Sequence, residues 1–357
     1  MMNKQEPTYD RLHEGESKEG APRYRTEMIS LKEALDQTKL KKVASLLRRG
    51  ETVAIPTETV YGLAADATQE EAVQRIFQAK GRPSDNPLIV HVAKKEQVFE
   101  LAGALQPYVE ALIDYFSPGP ITYIVPDAGR VAPTVTAGLS TVGVRIPNHP
   151  VALAILQEVN RPLAAPSANL SGRPSPTEAS HVEEDLAGRI PAIVDGGQTE
   201  VGIESTVLDC TGPVPVILRP GAITPEEIRQ VVGACEVYRP KKEERPKSPG
   251  LKYVHYAPEV PLFLVEKEVL EATLVQALEE KQRVGLLYHT DAYEDFPIVR
   301  RAFLGRDAEE SARRLYHLLR SFSKEEVDLI LCEYPTAFTN QAVLDRLRRA
   351  STKIVYA

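Results

Sequence analysis

The chain of 357 residues is 43% hydrophobic, 26% charged and only 6% aromatic, long and apolar enough for two domains with cores of their own. No apolar run approaches the roughly 18 to 20 residues that span a bilayer as a helix, and a net charge of -7, from 43 basic and 50 acidic residues, argues against blanket neutralisation of a nucleic-acid backbone. Three widely spaced cysteines, Cys210, Cys235 and Cys332, form no CxxC pair, so no disulfide framework or zinc ribbon is expected and a reducing cytoplasm is the expected location.

Residues 1–29 mix charges of both signs, lack the apolar segment of an export signal and read as a mobile tail. From Leu31 onward short β-branched runs alternate with amphipathic stretches of helix length, the pattern of an α/β fold. Strands are predicted at Thr52–Ile55, Leu88–Val92, Ile121–Val125, Thr141–Ile146, Pro162–Ala165, Ala192–Val194, Ser205–Asp209 and Val214–Leu218. Three helix starts are punctuated. Thr68 with Glu71 has the spacing of a capping box, and that helix should stop at Gly81 and Pro83, leaving Lys80 at its exit. Ser175-Pro-Thr-Glu178 and Thr224-Pro-Glu-Glu227 repeat the device with proline at the first helical position, the latter helix ending near Gly233.

Residues 238–258 turn rich in Lys, Glu, Arg and Pro and are expected to be a linker between a unit at 30–237 and a smaller one at 259–357. The latter predicts strands at Leu262–Val265, Val284–Tyr288, Ile298–Phe303, Asp328–Cys332 and Lys353–Tyr356. Helices running to Glu280, over Asp307–Phe322 and over Asn340–Ala350 separate them, a Rossmann-like parallel arrangement. The fold class is therefore α/β, with a large twisted mixed sheet and flanking helices followed by a small second sheet. Arg346 to Arg349 read as a solvated helix face.

No phosphate loop, dinucleotide fingerprint, nucleophile elbow or zinc helix is present. Instead, seven polar clusters follow strands in Pro- and Gly-rich turns: PTETVYGL from Pro56, KGRPSDNPLIVHV from Lys80, SPGPIT from Ser117, TVGVRIP from Thr141, APSANLSGRPSPT from Ala165, ESTVLD from Glu204 and LRPG from Leu218. Singly, each has a structural explanation: Thr57 and Thr59 can satisfy a turn, Arg145 can be a strand-end charge, and Ser167 with Asn169 can form an Asx-type turn. His91, alone on an apolar strand, is more simply a structural group. Jointly, Lys80, Arg82, Arg145 and Arg219 among hydroxyl-bearing turns are the means of holding a polyphosphate without a Walker loop.

The ordered set PTETVYGL, KGRPSDNPL with His91, PGPIT, VGVRIP, PSAN, STVLD and RPGAI resembles the YrdC-like threonylcarbamoyl-AMP synthases. The segment SPGLKYVHYAP before a small α/β unit resembles their long, two-domain form. The resemblance implies conversion of L-threonine, bicarbonate and ATP, with Mg2+ accompanying the nucleotide, into threonylcarbamoyl-AMP and pyrophosphate for tRNA modification. It implies threonine contacts at Thr59, His91, Arg145, Ala165 and Ser205, and ATP contacts at Arg82, Asn86, Thr141, Ser167, Ser175 and Arg219. Lys80 and Arg82 would act at the reacting centre, and the linker would close as a lid in which Tyr256, or else His255, meets the nucleotide. Implied partners are a threonylcarbamoyl transferase complex that receives the adenylate and a transient tRNA contact, with no membrane. Two other readings compete. A non-catalytic module for structured RNA is disfavoured by net acidity and missing aromatic-basic interleaving, and a hydrogenase-maturation carbamoyl transferase by the scattered cysteines.

Overall fold

The computed structural model describes residues 13–16, 22–32, 35–238, 255–335 and 341–357. Most of the expected linker, 239–254, and tail residues 1–12 and 17–21 lie outside the described residues.

The first part of the chain runs β1 (His13–Glu16), β2 (Pro22–Tyr24), β3 (Glu27–Ser30), α1 (Gln37–Arg48), β4 (Val53–Ile55), β5 (Gly62–Asp66), α2 (Glu70–Lys80), β6 (Ile89–His91), α3 (Lys95–Leu101) and α4 (Val109–Phe116). It continues through β7 (Ile121–Pro126), α5 (Pro133–Thr136), β8 (Thr141–Arg145), α6 (Pro150–Val159), β9 (Leu163–Ala164), α7 (Ala179–Leu186), β10 (Ala192–Asp195), β11 (Thr206–Asp209), β12 (Val216–Arg219), α8 (Pro225–Val232) and β13 (Glu236–Val237). Strands β3 to β13 form one mixed sheet of eleven strands, in the order β13-β12-β11-β7-β8-β6-β9-β5-β4-β10-β3.

Alternation along its strands divides the core between two faces, because successive side chains of a strand point to opposite sides. In β4, Ala54 joins the core beneath α2 and α4, whereas Val53 and Ile55 join the core beneath α1 and α6. Leu63 and Ala65 of β5 go one way and Ala64 the other.

All eight predicted strands are present, and the sheet gains three more. β5, with sequence GLAAD, carries no β-branched or aromatic residue to signal a strand, yet all five residues are buried between β4 and β9. β3 lies within the expected mobile tail. It pairs with β10 in parallel, and ahead of it Tyr24 is buried with its hydroxyl donating to Glu51 Oε2 at 2.9 Å. As an edge strand only one of its four residues, Ile29, is buried, so its signal is weak.

Two helix starts differ from expectation. α2 begins at Glu70 without a side-chain cap. Thr68 instead donates from Oγ1 and N to Asp66 Oδ1, at 2.6 and 2.9 Å, because the buried Asp66 needs donors more than the helix needs a cap. The exit is as predicted: Gly81 takes a left-handed φ of 60°, which glycine adopts without steric cost. α7 begins at Ala179, not after Ser175, whose hydroxyl donates to Glu204 Oε1 and so caps no helix. At α8 the expected capping box between Thr224 and Glu227 is present.

The second part comprises β14 (Leu262–Val265), α9 (Lys267–Glu279), β15 (Val284–Tyr288), β16 (Arg300–Phe303), α10 (Ala308–Ser321), β17 (Leu329–Glu333), α11 (Gln341–Ala350) and β18 (Lys353–Val355). The strands form an all-parallel sheet, β16-β15-β17-β14-β18, with one apolar cluster on each face.

α10 and α11 press this unit against the first sheet. Gly202 has φ 79°, and a Cβ there would lie 2.4 Å from Arg313 Cα of α10, so only glycine permits the approach. Arg320 of α10, with its side chain 4% exposed, donates to Asp185 Oδ2 at 2.8 Å and to Pro174 O at 2.5 Å. Arg346 of α11 corrects the solvated-face expectation: it is fully buried and inserted toward the first unit.

Candidate active site

Where the carboxyl ends of β4, β6, β8 and β12 meet the turns before β5, after β9 and before β11, the chain leaves an open cleft. Eleven of the thirteen residues predicted for substrates or chemistry line it: Thr59, Lys80, Arg82, His91, Arg145, Ala165, Ser167, Ser175, Ser205, Arg219 and Tyr256. His255 lines it as well. Asn86 and Thr141 do not; Asn86 is buried beside the Arg82 turn, and Thr141 sits at the far end of β8 from Arg145.

Strand pairing explains the convergence. His91 and Arg145 are register partners at the ends of adjacent parallel strands. β11 runs antiparallel to β12, which sets Ser205, just before β11, against Arg219 at the end of β12. Arg219 donates from Nε and Nη2 to Ser205 O at 3.2 and 3.0 Å and from Nη2 to Ser205 Oγ at 3.2 Å. Thr122 Oγ1 lies 2.8 Å from the same hydroxyl. In the turn after β4, the Thr57 and Thr59 hydroxyls are 2.9 Å apart, and Thr59 Oγ1 accepts from Arg145 Nη1 at 2.8 Å.

The four predicted cations are not equivalent. Lys80 is buried at the end of α2 and donates to the carbonyls of Ser167 and Asn169, so it braces the PSAN turn; burial, helped by Arg82, holds its pKa well below the ordinary lysine range. Arg145 Nη2 lies 2.7 Å from Glu58 Oε2, both side chains being at most 5% exposed. Arg219 is committed to Ser205. Arg82 keeps donors in hand: Nη2 makes only long contacts to Asn86 O and Pro87 O, at 3.4 and 3.3 Å, and its buried Nε has no partner among the described residues. Burial lowers its pKa to about 10, which still leaves it charged at neutral pH.

Glu204, which the sequence placed in a motif without a role, is the one carboxylate lining the cleft among the described residues. It accepts from Ser175 Oγ at 2.5 Å, from Tyr316 OH at 2.8 Å and from Arg346 Nε at 3.1 Å. Burial pushes its pKa up, but Arg346 and Arg219 outweigh that and hold it below the usual carboxylate range. Ser175, freed from helix capping, thus faces the cleft. Glu58, Glu204 and Tyr316 were not singled out from sequence and Arg346 was read only as part of a solvated helix face; the first two stand in quoted motifs, whereas nothing local marks Tyr316 or Arg346 for the site.

Burial keeps His91 neutral, with a pKa lowered to about 3, and His255 and His181 lowered to about 4. Their unfolded pKa is about 6.5. As pH falls below that value the unfolded chain takes up protons that the native state refuses, so stability is lost between pH 6.5 and 4. Urea unfolding should show a decline of up to about 1.4 kcal/mol per pH unit for each of the three histidines; a flat profile from pH 7 to 5 would contradict neutral burial.

Fold and cleft together define a two-unit α/β protein with a cleft lined by basic and hydroxyl-bearing side chains. The family described as Telomere recombination (Sua5/YciO/YrdC) matches residues 45–221, and the threonylcarbamoyl-AMP synthase C-terminal domain matches 223–352. A threonylcarbamoyl-AMP synthase of Bacillus subtilis is 46% identical over 320 residues, covering 87% of this chain and 92% of the relative. One of Pyrococcus abyssi is 44% identical over 338 residues, covering 91% and 98%. The crystal structure of P. abyssi Sua5 complexed with L-threonine superposes with a TM-score of 0.87 at 42% identity, over 93% of this chain and all of that one. The chain belongs to the Sua5/YciO/YrdC family, in the long form that carries the Sua5 C-terminal domain.

Proposed function

We propose that the protein is an L-threonylcarbamoyladenylate synthase, which joins L-threonine, bicarbonate and ATP into threonylcarbamoyl-AMP and pyrophosphate. The observation that carries this reading is the convergence of Lys80, Arg82, Arg145 and Arg219 on one cleft, in a chain so similar to relatives of that name. The threonine amine and bicarbonate condense to a carbamate with loss of water, and a carbamate oxygen attacks the α-phosphorus as pyrophosphate leaves. No protein nucleophile is required; catalysis rests on alignment and on fixed positive charge that meets the charge developing on the leaving group.

In this reading Arg145 meets the threonine carboxylate through the edge not used by Glu58, with Thr59, Ser205 and the Ala165 backbone on its other polar atoms. His91 supplies a neutral wall. Arg82 and Arg219 meet the phosphates with the Ser167 and Ser175 hydroxyls, Lys80 fixes the turn that carries Ser167, and Tyr256 closes over the nucleotide. Asn86 and Thr141, the other two expected ATP contacts, lie outside the lining of the cleft and carry none of this reading. The lining carboxylate is already bonded to an arginine, a tyrosine and a serine, so the donor set does not fit a resident divalent ion, and Mg2+ enters as part of the nucleotide substrate. We further propose that a threonylcarbamoyl transferase receives the adenylate for tRNA modification through transient tRNA contact. No helix among the described residues is long and apolar enough to cross a membrane.

The test is pyrophosphate release from ATP with threonine and bicarbonate omitted in turn and serine substituted for threonine. Release that needs both, with serine poorer by about 5- to 150-fold for one missing methyl, is expected; ATP left untouched by folded protein would overturn the reading.

A further inference from the structure

The second unit reaches the cleft through α10 and α11, which meet at Glu204. Arg346 of α11 is fully buried, donates from Nε to Glu204 Oε2 at 3.1 Å and from Nη1 to Pro220 O at 2.6 Å, and stands 5.9 Å from the centre of the Tyr256 ring. Tyr316 of α10 donates to both Glu204 oxygens, at 2.8 and 3.1 Å, and its ring lies 5.3 Å from that of Tyr256. Tyr256 itself holds a left-handed φ of 65°, a conformation a bulky aromatic residue keeps only when its surroundings impose it. Ala257 N donates to Gly172 O at 2.9 Å, seating this end of the linker over the cleft.

We infer that Arg346, supported by Tyr316, is a positioning residue of the nucleotide subsite: it neutralises Glu204 and holds Tyr256 in its strained place. The electrostatic reason is direct. A cleft for a polyphosphate cannot carry an unpaired carboxylate beside its phosphate-binding hydroxyls, yet Glu204 is needed there to orient Ser175, and the balancing cation comes from the second unit. The role of that unit is then to complete the ATP subsite while leaving the threonine subsite around Arg145 to the first sheet. This inference rests on the proposed reaction.

The experiment measures ATP and threonine affinities and pyrophosphate release for the full chain, for Arg346→Met and for Arg346→Met/Glu204→Gln, with thermal unfolding of each. Arg346→Met should weaken ATP at least 10-fold and threonine less than 3-fold, and adding Glu204→Gln should recover most of the lost ATP affinity, because the repelling charge is gone. A general structural defect would move both substrates together and would not be rescued. Unchanged ATP affinity in folded Arg346→Met, or a double variant no better than the single, overturns the inference. Should Arg346→Met not fold, Tyr316→Phe, which loses only the hydroxyl, should raise the ATP KM about 3- to 10-fold at constant threonine KM, and an unchanged ATP KM overturns the inference equally. Failure of the unaltered chain to release pyrophosphate would instead strike the reaction itself.

Discussion

Arg82→Ala is expected to lower kcat about 100- to 1,000-fold with little change in folding stability, the scale seen when one preorganised donor to a developing charge is removed. Arg82 is the cation with least to do in the protein. Its long contacts to Asn86 O and Pro87 O and its unpartnered Nε leave a half-buried guanidinium held ready for an anionic guest. Truncation therefore removes a substrate donor and breaks only two long hydrogen bonds within the protein. Steady-state kinetics paired with urea unfolding checks both halves; near-normal kcat would remove Arg82 from the phosphate site. Lys80 gives no such clean answer, since it braces the Ser167 and Asn169 carbonyls and its loss would disturb the turn along with the charge.

Arg145→Met is expected to act on stability first. Glu58, 3% exposed, would be left as a buried carboxylate without its cation, a change that costs about 3–5 kcal/mol. The threonine KM should also rise by about 10- to 150-fold, the worth of a hydrogen bond to a charged group, while the ATP KM stays within about threefold. The two effects separate in the double variant Arg145→Met/Glu58→Gln, which should recover stability but not threonine affinity. Equal loss for both substrates in that folded double variant would undo the assignment of Arg145 to the carboxylate.

Much of the architecture was legible in the sequence. Hydrophobic runs marked β4, β7 and β8, and all five strands of the second sheet were predicted where they occur. β5 and β3 escaped because an alanine-rich strand and a half-exposed edge strand bury their residues through neighbours rather than through composition. Ser175 shows the reverse error. Its local context suits a helix cap, but a carboxylate from the turn before β11 claims the hydroxyl.

The same division runs through the site. Sequence alone determined which turns carry the polar and basic residues, since strand ends and Pro- and Gly-rich turns are set by local pattern, and eleven of thirteen predicted residues do share the cleft. The tertiary structure decided which of those charges are free. Glu58 claims Arg145, two carbonyls claim Lys80, and Arg346, 142 residues from Glu204, reaches across from α11 of the second unit to neutralise it. A charge taken from water must find a partner, and that partner is fixed by which strand ends the fold brings together, a property no local stretch of sequence contains.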